Sequence, residues 1–186
     1  MASRLEMATM QYGVHILVSG ELVPILTKDV KKMMREVDTV TVKGSAKPMK
    51  LYTVDVQVEE IAEVTDRFKK LLIKDKKRML EREKFVLWES LKRRAMSTIS
   101  VFKNDADFTD LRKNYNKEFG ELWKNSYDAY IEGDWSTAHR LLKDGQEICP
   151  EDGPTKTLLR VIETMCVRPG YNAPADWEGF RALTEK

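Results

Sequence analysis

REVDTVTVKGSAKPMKLYTVDV, residues 35–56, holds the plainest structural signal in the chain. TVTVK (39–43) alternates apolar and polar side chains strictly, the period of a half-buried strand. GSAKP (44–48) breaks that run, because glycine and proline punctuate regular structure. MKLYTVDV (49–56) resumes as strand. Two such runs about a Gly/Pro turn make a β-hairpin.

Outward from the hairpin, VHILVS (14–19) is a compact apolar run of strand length, and residues 4–12 suit a short helix. ELVPILTKDVKKMM (21–34) reads as helix, with Ser19 as N-cap and Pro24 in the first turn, where a missing N–H costs nothing. Residues 1–57 therefore mix helix and strand, and form the first of three segments.

The second segment, 58–112, changes character. RFKKLLIKDKKRMLEREK (67–84) carries nine basic and three acidic residues, while Phe68, Leu71, Leu72, Met79, Leu80, Val86, Leu87 and Leu91 recur at helical spacing. The reading is a long amphipathic helix with a basic polar face. That face is either simply solvated or binds calmodulin, acidic lipid or another acidic surface. STISVFKNDADFTDLR (97–112) then breaks the period.

The third segment, 113–186, is helical again. KEFGELWKNSYDAYIEG (117–133) and WSTAHRLLKDGQEIC (135–149) make two helices around the Gly133-Asp134 turn, and a third restarts after Pro150 with Asp152 as cap and Pro154 in its first turn. The end, RPGYNAPADWEGFRALTEK (168–186), is loop-like. Tyr130, Gly133, Trp135, Ala138, Leu142, Gly145 and Pro150 follow the small/large rhythm of one tetratricopeptide-like unit, and equally that of an ordinary helical hairpin. Trp123, Trp135 and Trp177 read as core and docking aromatics.

Composition bounds the function classes. The 186 residues are 42% apolar and 33% charged with net charge +2, so the overall balance names no polyanion and no nucleic acid is expected as partner. No run approaches the ~20 apolar residues of a membrane helix, and the first ten residues lack the apolar core of a signal peptide. The expectation is a cytoplasmic protein, with membrane attachment only through sequence upstream. Cys149 and Cys166 read as reduced packing residues; with His15 and His139 far apart, they make no zinc pattern.

ASRLE (2–6), a YG (12–13) before an apolar strand, VDTVTVKG (37–44), a proline and LYTV (51–54) occur in an order that resembles the C-terminal part of a class III adenylate/guanylate cyclase domain, over about residues 1–57. The stretch from Tyr127 to Val161, with APADWEGFRALTEK (173–186), looks like the helical extension of some microbial cyclases. The resemblance implies an α+β fold: a small antiparallel sheet remnant of a ferredoxin-like cyclase domain, followed by a mainly helical tail.

It also implies a chemistry. Such cyclases turn a nucleoside triphosphate into its 3′,5′-cyclic monophosphate and pyrophosphate by in-line attack of the 3′-oxygen. Two divalent metals, Mg or Mn, are held by two aspartates. An N-x-x-x-R pair positions the ribose and stabilises developing charge, and a lysine in the VKG hairpin grips the terminal phosphates. By resemblance, Arg4 takes the transition-state role and Lys43 the triphosphate role. The asparagine would fall one position before Met1, and the aspartates, the phosphate-cradling loop and the base-selecting residues would lie upstream. ATP or GTP and the two metals are thus expected only in a completed site; this chain holds none of the metal ligands.

A sheet remnant that small exposes strand edges and half a core. It needs a cover: upstream sequence, a protein partner or second cyclase protomer, or the helices of residues 58–186 folding back. Two functions follow from the sequence. One is the C-terminal portion of a cyclase, inactive alone. The other is a cyclase-derived structural or binding subunit without chemistry, docked into a larger assembly.

Overall fold

The computed structural model of the chain describes residues 2–42, 47–57 and 73–183. Two compact units result, one of residues 1–55 with 114–186 and one of residues 56–113.

The first unit opens with α1 (Ala2–Tyr12) and contains four strands: β1 (Val18–Ser19), β2 (Met34–Thr41), β3 (Met49–Val54) and β4 (Arg181–Ala182). Their order in the sheet is β1-β3-β2-β4. The three stretches read as strands from the sequence do share one sheet. β3 pairs antiparallel with both β1 and β2, with Arg35 opposite Thr53 and Val40 opposite Met49. The sheet is mixed rather than purely antiparallel, because β4 pairs in parallel with β2. That strand comes from the tail expected to be loop, and Leu183 N–H extends it with a hydrogen bond to Thr41 O at 2.8 Å.

The strand bounds differ from expectation for physical reasons. Residues 14–17 do not pair. Gly13 turns the chain at φ +59, and Val14 and Leu17 pack against the core instead, leaving only Val18–Ser19 as strand. The helix expected over 21–34 is absent. A 3-10 turn at Val23–Ile25 contains Pro24, a single helical turn α2 (Lys28–Lys31) follows, and β2 begins at Met34. Ser19, expected as that helix's cap, lies in β1. Sheet pairing and the burial of Arg35 override the local helical period.

β2 also carries a bulge between Glu36 and Asp38. The extra residue, Val37, breaks the two-residue alternation. Val37 and Asp38 are consequently both buried, with Arg35 and Val40 on either side of them also buried. The bulge thus brings an acid into the interior of a strand that would otherwise point it outward.

The helices α6 (Lys117–Glu132), α7 (Trp135–Ile148) and α8 (Gly153–Met165) complete this unit. Asn116, Asp134 and Asp152 accept hydrogen bonds from the third N–H of these helices, satisfying donors that would be orphaned. Gly133 closes α6 at φ +89, a conformation that glycine adopts without strain. Ala138, Leu142 and Gly145 on α7 are buried, and a Cβ added at Gly145 would rest 3.8 Å from the Phe119 ring.

One core joins the sheet to these helices: Val37, Val40 and Leu51 pack with Phe119, Trp123, Tyr130, Trp135 and Leu158. The sheet's cover is therefore the chain's own tail. α1 meets α8 so closely that a Cβ on Gly153 would stand 2.1 Å from Tyr12 O. The Thr157 hydroxyl seals the contact by donating to Gln11 O at 2.9 Å.

The second unit contains α3 (Ile73–Lys92), α4 (Thr98–Asn104) and α5 (Ala106–Leu111). Its long helix runs eight residues past the basic stretch 67–84, and residues 67–72 lie outside the described ones. The stretch 97–112, expected only to interrupt the period, makes two short helices capped by Ser97 and Asp105. Among the described residues no helix is long and apolar enough to cross a membrane.

Candidate functional site

β2 places three polar clusters within five residues, and each is built from side chains distant in sequence. At Arg35 the guanidinium Nε donates to Asp55 Oδ1 at 2.8 Å, and Nη1 and Nη2 reach the two oxygens of Asp152 at 3.1 and 2.5 Å. This is the planar fork that distinguishes arginine from lysine. The rings of Trp123, Phe119 and Tyr115 lie 4.3, 5.2 and 5.6 Å from its central carbon. Burial works against the charge on Arg35, and Asp152 followed by Asp55 outweighs it, so its pKa lies above the ordinary arginine value. Asp152 is also the cap of α8, accepting from Thr155 N–H at 2.9 Å and its hydroxyl at 2.6 Å.

Asp38 centres the second cluster. It accepts from the Tyr12 hydroxyl at 2.6 Å, from Arg181 Nε at 2.9 Å and from Thr39 N–H at 2.8 Å. Arg181 Nη2 donates to the Tyr12 oxygen at 2.8 Å and closes the triangle. Burial raises the Asp38 carboxyl above the usual aspartate value, against the pull of Arg181. The Tyr12 phenol is held well above its free value by the same burial and by Asp38.

The third cluster is partly exposed. Glu36 accepts from the hydroxyls of Tyr52 at 2.7 Å and Tyr127 at 2.9 Å, and pairs with Lys50 at 2.9 Å. Trp123 Nε1 donates to the Glu36 main-chain oxygen at 2.9 Å, and the Thr39 and Tyr127 hydroxyls stand 3.1 Å apart. α6 is thereby fixed along β2.

Arg4 belongs to α1, eight residues or about 12 Å along the axis ahead of Tyr12; its side chain lies outside the described residues. Lys43, which follows β2 in the sequence, lies outside them entirely. In the chain the two expected site residues flank only Tyr12 and the β2 residues of these clusters, whose other members follow Lys43. His139 stacks on Tyr171 at 3.8 Å between ring centres and meets Glu163 at 3.2 Å. Burial, with Asp152 second, pushes the Cys149 thiol up to about 11, which keeps it unreactive.

The buried carboxylates of Asp38, Asp55 and Asp152 are engaged by guanidinium and hydroxyl donors. Among the described residues no three His, Cys, Asp or Glu gather to hold a metal ion. They do not make the two-metal site that the cyclase resemblance implies. What these clusters accomplish is to fix α1, β2, β4 and α8 in one arrangement.

Sequence reading missed these residues. Asp38 stands in the sequence only as part of VDTVTVKG, Arg35 only as the residue that opens the hairpin stretch, and Arg181 in the tail expected to be loop. The one available signal was Asp152, correctly read as a cap, whose second oxygen serves Arg35 as well. Comparison of the chain with protein-family models, with curated proteins and with solved structures found no match.

Proposed function

We propose that this chain is a segment related to the C-terminal part of a class III nucleotide cyclase domain, which has no catalytic activity alone and contributes Arg4 and Lys43 to a site completed by other residues. One observation carries the reading. The strands containing the resemblance, Val18–Ser19, Met34–Thr41 and Met49–Val54, lie in one sheet directly after the helix that bears Arg4. A cation on the helix ahead of the sheet and a second in the sequence between β2 and β3 are what a triphosphate-handling surface would use, with an arginine fork for developing charge and a compact lysine for the terminal phosphates. Exposed apolar side chains at Met7, Met10 (86%) and Ile25 offer such a complement a surface to cover.

A second reading has its own support. The sheet is already covered by α6–α8, and its buried charges are matched internally. That is the behaviour of a self-supporting structural or binding subunit that has left the chemistry behind.

The discriminating experiment combines the purified chain with a cyclase fragment supplying the metal-binding aspartates and the asparagine, in ATP or GTP with manganese. The chain alone is expected to give no cyclic product, and the mixture to give product that falls about 10²–10³-fold in Arg4→Ala and less in Lys43→Ala. Product from the mixture that is indifferent to both substitutions would remove the cyclase reading. Stable association with no turnover would favour the structural subunit.

A further inference from the structure

The nucleotide reading leaves α3 unused, and α3 has an unusual surface. Positions 74, 77, 78, 81, 84, 85, 88 and 92 form two overlapping series of three- and four-residue steps (74, 77, 81, 84, 88, 92 and 74, 78, 81, 85, 88, 92), and so fall on one side of the helix. Two of them are large exposed aromatics, Phe85 at 62% and Trp88 at 54%. Their rings are 6.5 Å apart, and the Lys92 ammonium sits 4.7 Å from the Trp88 ring centre. Of the other positions on this side, Lys74, Lys77, Arg78 and Lys84 are basic and exposed, and Glu81 is the only acid. Five cations against one anion surround two exposed aromatic rings.

We infer that this side of α3 is a docking surface for an anionic lipid membrane, lying in the interface with Phe85 and Trp88 inserted and the lysines at headgroup level. The chemistry favours this occupant. A nucleic acid backbone would satisfy the cations, but exposed phenyl and indole rings without a base-reading cavity suit acyl chains better. An indole with a cation beside it matches the depth of a headgroup layer, apolar below and wet above. The aromatic and basic positions share one side of the helix, and Leu87 and Leu91, one turn apart beside it, are half-buried. Long lysine stems can reach upward from such a face while their methylenes stay in the apolar layer. This inference stands independently of the cyclase reading.

The test is co-flotation of the full chain with vesicles of phosphatidylcholine alone or with 30 mol% phosphatidylserine added (roughly the charge density at which polybasic surfaces respond), in low salt and in physiological salt. Binding is expected only to the charged vesicles, weakened by salt, with a blue shift in tryptophan emission. Trp88→Phe should abolish that shift while leaving most of the binding, because Trp123 and Trp135 are buried and Trp177 is packed against Tyr130 and Trp135. Each of Lys77→Gln, Lys84→Gln and Lys92→Gln should lower the partition coefficient about fivefold, and Phe85→Ala with Trp88→Ala should lower it further. All five positions are exposed, and unchanged circular dichroism verifies that the variants fold. Equal binding to neutral vesicles, no binding to charged ones, or tighter binding to a duplex RNA at the same salt would each overturn the proposal.

Discussion

The two compact units use charge and apolar surface in opposite ways. In the unit of residues 1–55 and 114–186, charged groups are inside: Arg35 and Arg181 are buried and closed by Asp55, Asp152 and Asp38. On α3 apolar groups are outside, with Phe85, Val86 and Trp88 all more than half exposed. A buried ion cluster is intolerant of change, because removing one partner strands the other in a medium that cannot solvate it. An exposed aromatic on a helix can be removed with little effect on stability. The contrast predicts a steep series of effects in the first unit and almost none on α3.

The largest effect should come from alkali. Burial first, and then Asp38 or Glu36 nearby, hold the phenols of Tyr12, Tyr127 and Tyr130 above their free value. An unfolded tyrosine loses its proton near pH 10, whereas these keep theirs. Stability from each is thus complete below pH 10 and falls by up to about 1.4 kcal/mol per pH unit above it. Cys149, raised to about 11 by burial, acts in the same direction. Tyrosinate absorbance from these three phenols should appear in one step together with loss of near-ultraviolet dichroism. If these three titrate smoothly near pH 10 with dichroism intact, the buried-cluster account of this unit is wrong.

Next comes Arg35→Met, which leaves Asp55 and Asp152 buried without their shared cation. Urea unfolding should register a loss of about 3–5 kcal/mol. Arg35→Lys should recover only part of it, because an ammonium cannot span both carboxylates as the fork does. A loss below about 1 kcal/mol would mean that the triad does not tie β2 to α8.

Gly153→Ala should be smaller, about 1–3 kcal/mol. The added Cβ would lie 2.1 Å from Tyr12 O and 2.8 Å from the Gly13 Cα, so α1 and α8 must separate. Because the obstacle is backbone, no side-chain rotation relieves it. Hydrogen exchange at Thr157 and its neighbours, near the α1 contact, would report the separation directly. A neutral Gly153→Ala would show that the two helix ends slip past each other freely.

These same features explain what could be read in advance. The hairpin, the helices after Asn116 and the Asp152 cap are local signals of period, punctuation and capping, and they were legible. The failed helix over 21–34 was a local signal defeated by a distant one: Arg35 is drawn into β2 by carboxylates 20 and 117 residues away. β4 could not be seen because two residues have no period. It exists because Arg181 finds Asp38, 143 residues away. For the candidate site, Arg4 and Lys43 came from resemblance, while the Asp38 cluster depends on a one-residue bulge at Val37 that no pattern announced.

The smallest effect tests the contrast most sharply. Trp88 and Trp135 are chemically identical, but one is 54% exposed and the other fully buried. Trp135 stacks 5.9 Å from Tyr130 and meets Trp177 edge-on at 5.0 Å, with its N–H bonded to Tyr130 O. Its replacement by alanine should cost about 3–5 kcal/mol through lost burial and the cavity left behind. Trp88 touches Phe85 and Lys92 on its own helix and leaves no cavity. Alanine there also favours helix slightly over tryptophan. Trp88→Ala should therefore change unfolding of either unit by no more than about 0.5 kcal/mol. Should the two substitutions prove equally damaging, α3 has an internal partner for its aromatic face, and that face is not available to a membrane.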